Sequence, residues 1–117
     1  MKIRIKGDSL RYRLTKTDVN TLATAGYVEE QTNFGAQKLI YALQRYDGVV
    51  LSATFQDNKI TMLMPGVMAD EWTLTDRVGF EYLSQGLFLL VEKDFKFLDN
   101  VNEDQSDNYT NPNGEGC

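Results

Sequence analysis

Apolar and polar residues alternate from the second residue onward. Lys2–Lys6 reads KIRIK and Ser9–Leu14 reads SLRYRL, the period of two expected of half-buried strands. Gly7-Asp8 between them is a two-residue turn in which glycine supplies the positive φ of a primed hairpin. That turn sets Ile5 opposite Leu10, Arg4 opposite Arg11, Ile3 opposite Tyr12 and Lys2 opposite Arg13. One face of the hairpin is then apolar (Ile3, Ile5, Leu10, Tyr12, Leu14). The other is basic.

The period changes after Leu14. Thr15 with Asp18 three residues on resembles a capping box, Val19, Leu22 and Ala23 follow at helical spacing, and Gly26 suits the position just past a helix end. The pattern predicts a short helix there, then strands at Tyr27–Phe34 and Lys38–Arg45. Asp47-Gly48 signals another turn. Beyond it the chain predicts a strand to Gln56, an Asp57-Asn58 turn and a strand over Lys59–Met64. A second short helix opens at Pro65, which suits a first helical turn, with Met68 and Trp72 on one face. Strands over Arg77–Ser84 and Leu87–Leu98 close the pattern. The run Leu87–Val91 is continuously apolar, as in a strand buried on both faces.

Sliding the chain by 50 residues superimposes the halves without a gap: Leu10, Tyr12 and Leu14 fall on Ile60, Met62 and Met64, and Leu22 on Trp72. The same shift lays Val28 on Val78, and Leu39 and Tyr41 on Leu89 and Val91. The match lies in period and punctuation rather than identity. The expected fold is a single α+β domain of about eight mostly antiparallel strands, in one or two sheets, with two short helices. Its halves read as pseudo-symmetric hairpin–helix–strand–strand units.

Composition adds boundaries. All 12 Lys and Arg and 12 of the 17 Asp and Glu lie in residues 1–98, so that body is electrically balanced. Residues 99–117 hold the other five acids and no base, and they form an acidic tail too polar to fold unaided. The predicted organisation is a globular domain over 1–98 and a flexible tail over 99–117. The only cysteine is Cys117 and there is no histidine. A thiol cluster, an internal disulfide and the commonest general base and zinc ligand are therefore excluded. No apolar run reaches the length of a membrane helix, and the alternating N-terminus cannot be the core of a signal peptide, so a cytoplasmic protein is expected.

The basic hairpin face is the most specific chemical feature. Lys2, Arg4, Lys6, Arg11 and Arg13 project together, and like charges facing one another across a strand pair are destabilising. Such a face calls for anions, with Arg4, Arg11 and Arg13 as the candidate partner-binding residues. Acids of the body such as Glu29, Glu30 or Glu81, the chain's own tail, or an external acidic protein or phosphate-bearing ligand could each supply them. Nucleic acid is disfavoured by the neutral body and by Tyr12 pointing to the opposite face.

The tail acids Glu103, Asp104 and Asp107 are candidates for docking or for a cation. Asp104, Ser106, Asn108, Thr110 and Glu115 follow a calcium-loop spacing, but Tyr109 stands where that loop needs glycine. Glu92 and Asp94 share a strand face with Lys96 and read as an edge ladder rather than an acid–base couple. No phosphate-loop or dinucleotide motif is present and no cofactor is implied. The residues point to a non-enzymatic binding or regulatory module, with a metal- or small-ligand-binding protein using the tail carboxylates as the alternative and an enzyme third.

The opening KIRIKGDSLRYRLT with Val19, the Val28–Thr32 stretch with Phe34, the closing Leu90–Phe95 (LVEKDF) with Leu98, and EDQSDNYTNP (Glu103–Pro112) together resemble a family of small bacterial proteins, common in the Bacteroidetes, classed as a domain of unknown function. The resemblance implies no activity. It departs at Phe97, where relatives often carry cysteine, and at Thr110, often proline. Because the family pattern includes the acidic run, the resemblance implies a role for the tail.

Overall fold

The structure is a computed structural model that describes residues 1–95, 107 and 109. Ten elements follow in order: β1 (Lys2–Lys6), β2 (Ser9–Leu14), α1 (Lys16–Ala25), β3 (Tyr27–Asn33), β4 (Lys38–Tyr46), β5 (Ser52–Gln56), β6 (Lys59–Pro65), α2 (Gly66–Leu74), β7 (Gly79–Ser84) and β8 (Leu87–Lys93). They form two four-stranded sheets, β1-β2-β8-β7 and β3-β4-β6-β5. The α+β expectation holds, with eight strands in two mostly antiparallel sheets and two helices in one compact domain.

The hairpin register is the one the alternation predicts: Arg4 lies opposite Arg11 and Ile3 opposite Tyr12. The Asp57-Asn58 turn also forms, with both residues at positive φ (53° and 62°), the geometry that matches the twist of a tight hairpin. Helix α1 begins and ends as its punctuation requires. Thr15 accepts from the Asp18 amide while Asp18 accepts from the Thr15 amide, a complete capping box, and Gly26 takes the left-handed conformation (φ 74°) that a side chain would resist.

Helix α2 has no such cap. Pro65 is its N-cap as well as the last residue of β6, and makes no side-chain cap bond. The expected strand over Gly48–Gln56 is shorter and starts at Ser52, because the Tyr46 ring lies over Gly48 and its hydroxyl bonds to the Val50 carbonyl.

The two halves exchange partners. Hairpin β1–β2 of the first half pairs through β2 with β8 of the second, and hairpin β5–β6 pairs through β6 with β4 of the first, both in parallel. Up to the helices the 50-residue shift is kept: the pair Ile3–Tyr12 becomes Ala53–Met62. Beyond them it fails. The pair Val28–Leu43 corresponds to Phe80–Val91, so β7 is displaced by 52 and β8 by 48. The ungapped matches of Val28 with Val78, Leu39 with Leu89 and Tyr41 with Val91 are thereby corrected. The connection from α2 to β7 is longer than that from α1 to β3, and Gln85-Gly86 replaces the wider β3–β4 turn.

β8 is an interior strand, but only its inward side is fully buried. Leu89 and Val91 are inaccessible, whereas Phe88 and Leu90 are half-buried on the outer face. The strand ends at Lys93, short of the predicted Leu98; Phe95 makes one isolated bridge to Tyr109, and residues 96–98 lie outside the described residues.

The core gathers the inward side chains of both sheets with one face of each helix: Tyr12, Leu14, Leu22, Leu43, Leu51, Met62, Met64, Trp72, Leu89 and Val91. Tyr12 packs edge-on against Tyr41 at 6.4 Å and donates its hydroxyl to the Ile60 carbonyl at 3.2 Å, so one aromatic ring ties the sheets together. Met62, Met64 and Trp72 are core as expected, with Met68 packed at its margin. Gly79 lies where β7 crosses β8 too closely for a side chain, since a Cβ there would collide with the Val91 carbonyl.

Trp72 anchors α2: it is fully buried and donates its indole N–H to the Val78 carbonyl at 2.9 Å. Replacing Trp72 with Ala is expected to cost about 3–5 kcal/mol, and Trp72→Phe clearly less because a ring still fills the site. Urea unfolding followed by far-UV circular dichroism measures both. An unchanged midpoint for Trp72→Ala would take α2 out of the core.

Candidate anion-binding face

The cations of the hairpin stand on the outer face of the first sheet, where strand register arranges them in rows. Lys2, Arg13, Glu92 and Gly79 are aligned across the four strands, next to a row of Arg4, Arg11, Leu90 and Glu81. The third row is Lys6, Ser9, Phe88 and Leu83. Opposite residues of paired strands share a face. The face is therefore basic on β1 and β2, and along β8 and β7 it mixes apolar Leu90, Phe88 and Leu83 with Glu92 and Glu81.

Arg11 and Arg13 converge on a single carboxylate. Arg11 donates to Glu92 Oε1 through Nε at 2.8 Å and approaches it with Nη2 at 2.6 Å; Arg13 Nε donates to the same oxygen at 2.9 Å. Lys2 Nζ lies 3.1 Å from Asp94 Oδ2, whose side chain is 1% exposed. Among the described residues, neither Asp94 oxygen accepts a hydrogen bond of good geometry. Arg4 and Lys6 carry no ion pair among the described residues. A depression of about 160 Å³ lined by Lys2, Ile3, Arg4, Arg11 and Arg13 opens over the face. It is smaller than the 300–1,000 Å³ of a typical small-molecule pocket and suits one anionic group.

The counter-acids are not the ones the linear order suggested. Glu29 and Glu30 belong to the other sheet, where Glu29 accepts from the Tyr27 hydroxyl at 2.5 Å and Glu30 lies 3.4 Å from the Met1 amino group. Glu81 is on β7, beyond β8. Parallel pairing of β2 with β8 brings Glu92 beside Arg13 instead. For the same reason Glu92 and Asp94 do not form an edge ladder; β8 is interior, and Lys96 lies outside the described residues.

The structure places Asp107 away from this face, at the start of α1. Its carbonyl accepts from the Lys16 amide at 3.0 Å, and its carboxylate accepts from the Thr17 amide at 3.3 Å and the Thr17 hydroxyl at 3.1 Å. These are donors a helix N-terminus leaves without intrahelical partners. Two residues on, the Tyr109 amide donates to the Asp94 carbonyl at 2.7 Å, and the Tyr109 ring packs 5.6 Å from that of Phe95.

The ammonium groups of Lys93 and Lys16 lie 5.3 and 5.9 Å from the Tyr109 ring centre. Lys93 is almost fully buried and donates to the Thr75 carbonyl at 2.8 Å, so burial pushes its pKa down while Asp76 opposes that shift. Glu103 and Asp104 lie outside the described residues, as do Ser106, Asn108, Thr110 and Glu115 of the calcium-loop spacing. No group of three or more potential metal ligands is found among the described residues.

Some of these neighbours were not visible in the chain. Phe88 and Leu90 beside the arginines, Glu92 as their shared partner, and Lys93 and Tyr109 against each other all follow from which strands and segments meet. The alternation of Glu92 and Asp94 was the one available signal, and it lacked an address.

Fold and site together define a small two-sheet α+β domain with a charged, partly apolar outer face. None of its described helices is long and apolar enough to cross a membrane. Residues 1–113 match the model of a family of unknown function, DUF7009, and the chain belongs to that family. No curated protein and no solved structure matched the chain.

The docked carboxylate has a pH consequence. The Thr15 hydroxyl chiefly holds the Asp107 carboxyl below its ordinary range; desolvation opposes it, and the Thr17 hydroxyl and amide and the Lys16 charge add to the lowering. A depressed carboxylate stabilises the docked state fully above its free pKa of about 3.9, and that stabilisation is lost as pH falls through the lower docked value. Amide exchange at Thr17 and Tyr109 should therefore speed up below about pH 4, beyond the ordinary pH dependence of exchange. Asp107→Asn should abolish the added acceleration; retention of it would assign the effect to another group.

Proposed function

We propose that the protein is a non-enzymatic binding or regulatory module whose basic sheet face receives an acidic partner, either an acidic protein segment or a phosphate-bearing ligand. One observation carries the reading: two guanidinium groups share the single carboxylate of Glu92, with Arg4 directly opposite Arg11. Arg11, Arg13 and Glu92 together sum to one positive charge, and Arg4 and Lys6 make no ion pair among the described residues. Like charges opposed on paired strands repel, and an incoming carboxylate or phosphate relieves that repulsion.

Arginine suits the task because its planar fork can bind an oxyanion through two parallel N–H groups. The half-buried Phe88 and Leu90 give an adjoining apolar contact, and Arg4, Arg11 and Arg13 would supply the polar recognition. The equivalent face of the second sheet carries Thr54 and Thr61 where this one carries Arg4 and Arg11. The architecture therefore does not itself require the charge.

A polyglutamate peptide and inorganic polyphosphate serve as probes, titrated by calorimetry at rising NaCl concentrations. Affinity should fall steeply with salt, as surface charges are screened. Arg4→Ala with Arg11→Ala should weaken binding about tenfold, at about 0.7 kcal/mol for each exposed contact. In the otherwise unaltered chain, Glu92→Gln, which removes the negative charge that Arg11 and Arg13 share, should strengthen it. No binding of either probe at low salt, or binding indifferent to Arg4 and Arg11, would sink the reading.

A further inference from the structure

The two sheets end in four edge strands: β1 and β7 on one, β3 and β5 on the other. A bare edge presents unpaired backbone N–H and C=O groups to any passing strand, and proteins that stay apart guard it with charges, proline or bulges. β1 carries Lys2, Arg4 and Lys6, β3 carries Glu29 and Glu30, and β7 carries Glu81. β5 reads SATFQ, with neither charge nor proline. It is the counterpart of β1 by the 50-residue shift, so of these two equivalent hairpin edges one is guarded and the other is not.

The unguarded edge is also open. Thr54, Phe55 and Gln56 are exposed, Phe55 at 69%, and among the described residues β5 has no strand on its outer side. Phe55 stands beside an apolar groove of about 410 Å³ lined by Ile5, Leu10, Leu39, Ala53, Ile60 and Leu87.

We propose that β5 pairs with β5 of a second copy of this chain, antiparallel across a two-fold axis at Thr54, joining two four-stranded sheets into one of eight. A two-fold axis normal to a sheet keeps each residue opposite one of the same facing, so only alternate registers are allowed. Of these, the register centred on Thr54 is the one that pairs all five residues of the strand. It sets Thr54 opposite its own counterpart, Ala53 opposite Phe55, and Ser52 opposite Gln56. On the inward face the large Phe meets the small Ala, and on the outward face polar residues meet polar ones. The strand is self-complementary. The mate's Phe55 arrives beside Ala53, at the wall of the groove, where its exposed ring is covered.

Sedimentation velocity of the full chain over a range of concentrations should show a monomer–dimer equilibrium. Thr54→Lys should weaken it at least tenfold with unchanged circular dichroism. A second arm does not depend on that variant: in a Cys117→Ser background, Thr54→Cys should form a disulfide-linked dimer under mild oxidation. Opposed residues of an antiparallel pair lie about 4.5–5.5 Å apart between Cα atoms, within disulfide range. A cysteine on the charged β3 edge, as Glu29→Cys in the same background, should not cross-link. A chain that stays monomeric at every concentration overturns the proposal, as does a dimer that resists Thr54→Lys or fails to cross-link at Thr54. A monomer that instead binds an apolar fluorescent dye in the groove also overturns it and assigns the groove to a small ligand. None of these results bears on the basic face, which lies on the other sheet.

Discussion

The parallel pairings of β2 with β8 and of β6 with β4 are the constraint on which the rest of the structure depends. Each half of the chain contributes two strands to each sheet, and neither half contains a complete sheet. A lone hairpin is at best marginally stable in water, so β1–β2 needs β8 and β5–β6 needs β4. The contacts that close the first sheet are separated by most of the chain, as in Arg13 opposite Glu92, and those of the second by a shorter stretch, as in Leu43 opposite Met62. Long-range pairing of this kind must overcome loop-closure entropy before it gains burial. The core meets that cost only when the two halves are interlocked around Tyr12, Met62, Leu43 and Val91.

The interlocking also makes the charged face. In the isolated hairpin, five cations would repel one another without relief. Joining β8 to β2 delivers Glu92 to Arg11 and Arg13, and delivers Leu90 and Phe88 to the neighbouring rows. Partial neutralisation stabilises the sheet while leaving the face net basic. The second hairpin meets β4 in the same geometry with threonines instead of arginines, so two sheets of like pairing present surfaces of different chemistry.

The two helices are held in different ways. α1 has a capping box, and Asp107 bonds to donors at its N-terminus in addition; α2 begins at Pro65 with no side-chain cap and is held instead by burial of Trp72. A short helix can be retained by either route, since tertiary packing supplies most of its stability. What differs is where each helix is anchored: α1 at its end, to a segment distant in sequence, and α2 through its face, to the core.

Alternation and turn chemistry determined the elements of this protein. The hairpin register, both ends of α1, the Asp57-Asn58 turn and the inward set Leu10, Tyr12, Leu14, Met62 and Met64 all follow from local periods and φ preferences, which neighbouring residues settle among themselves. The family resemblance was likewise legible in the chain's two ends, while the ungapped repeat was right only as far as the helices. Connection lengths differ after α2: two residues are gained before β7 and four are lost in the β7–β8 turn, a change that periodicity alone does not register. Tertiary structure alone decided which strands became neighbours, and with that the partner of the arginines, the interior place of β8 and the site at which Asp107 and Tyr109 dock. Periodicity says which way a side chain faces; what it faces is set by burial summed over the whole chain.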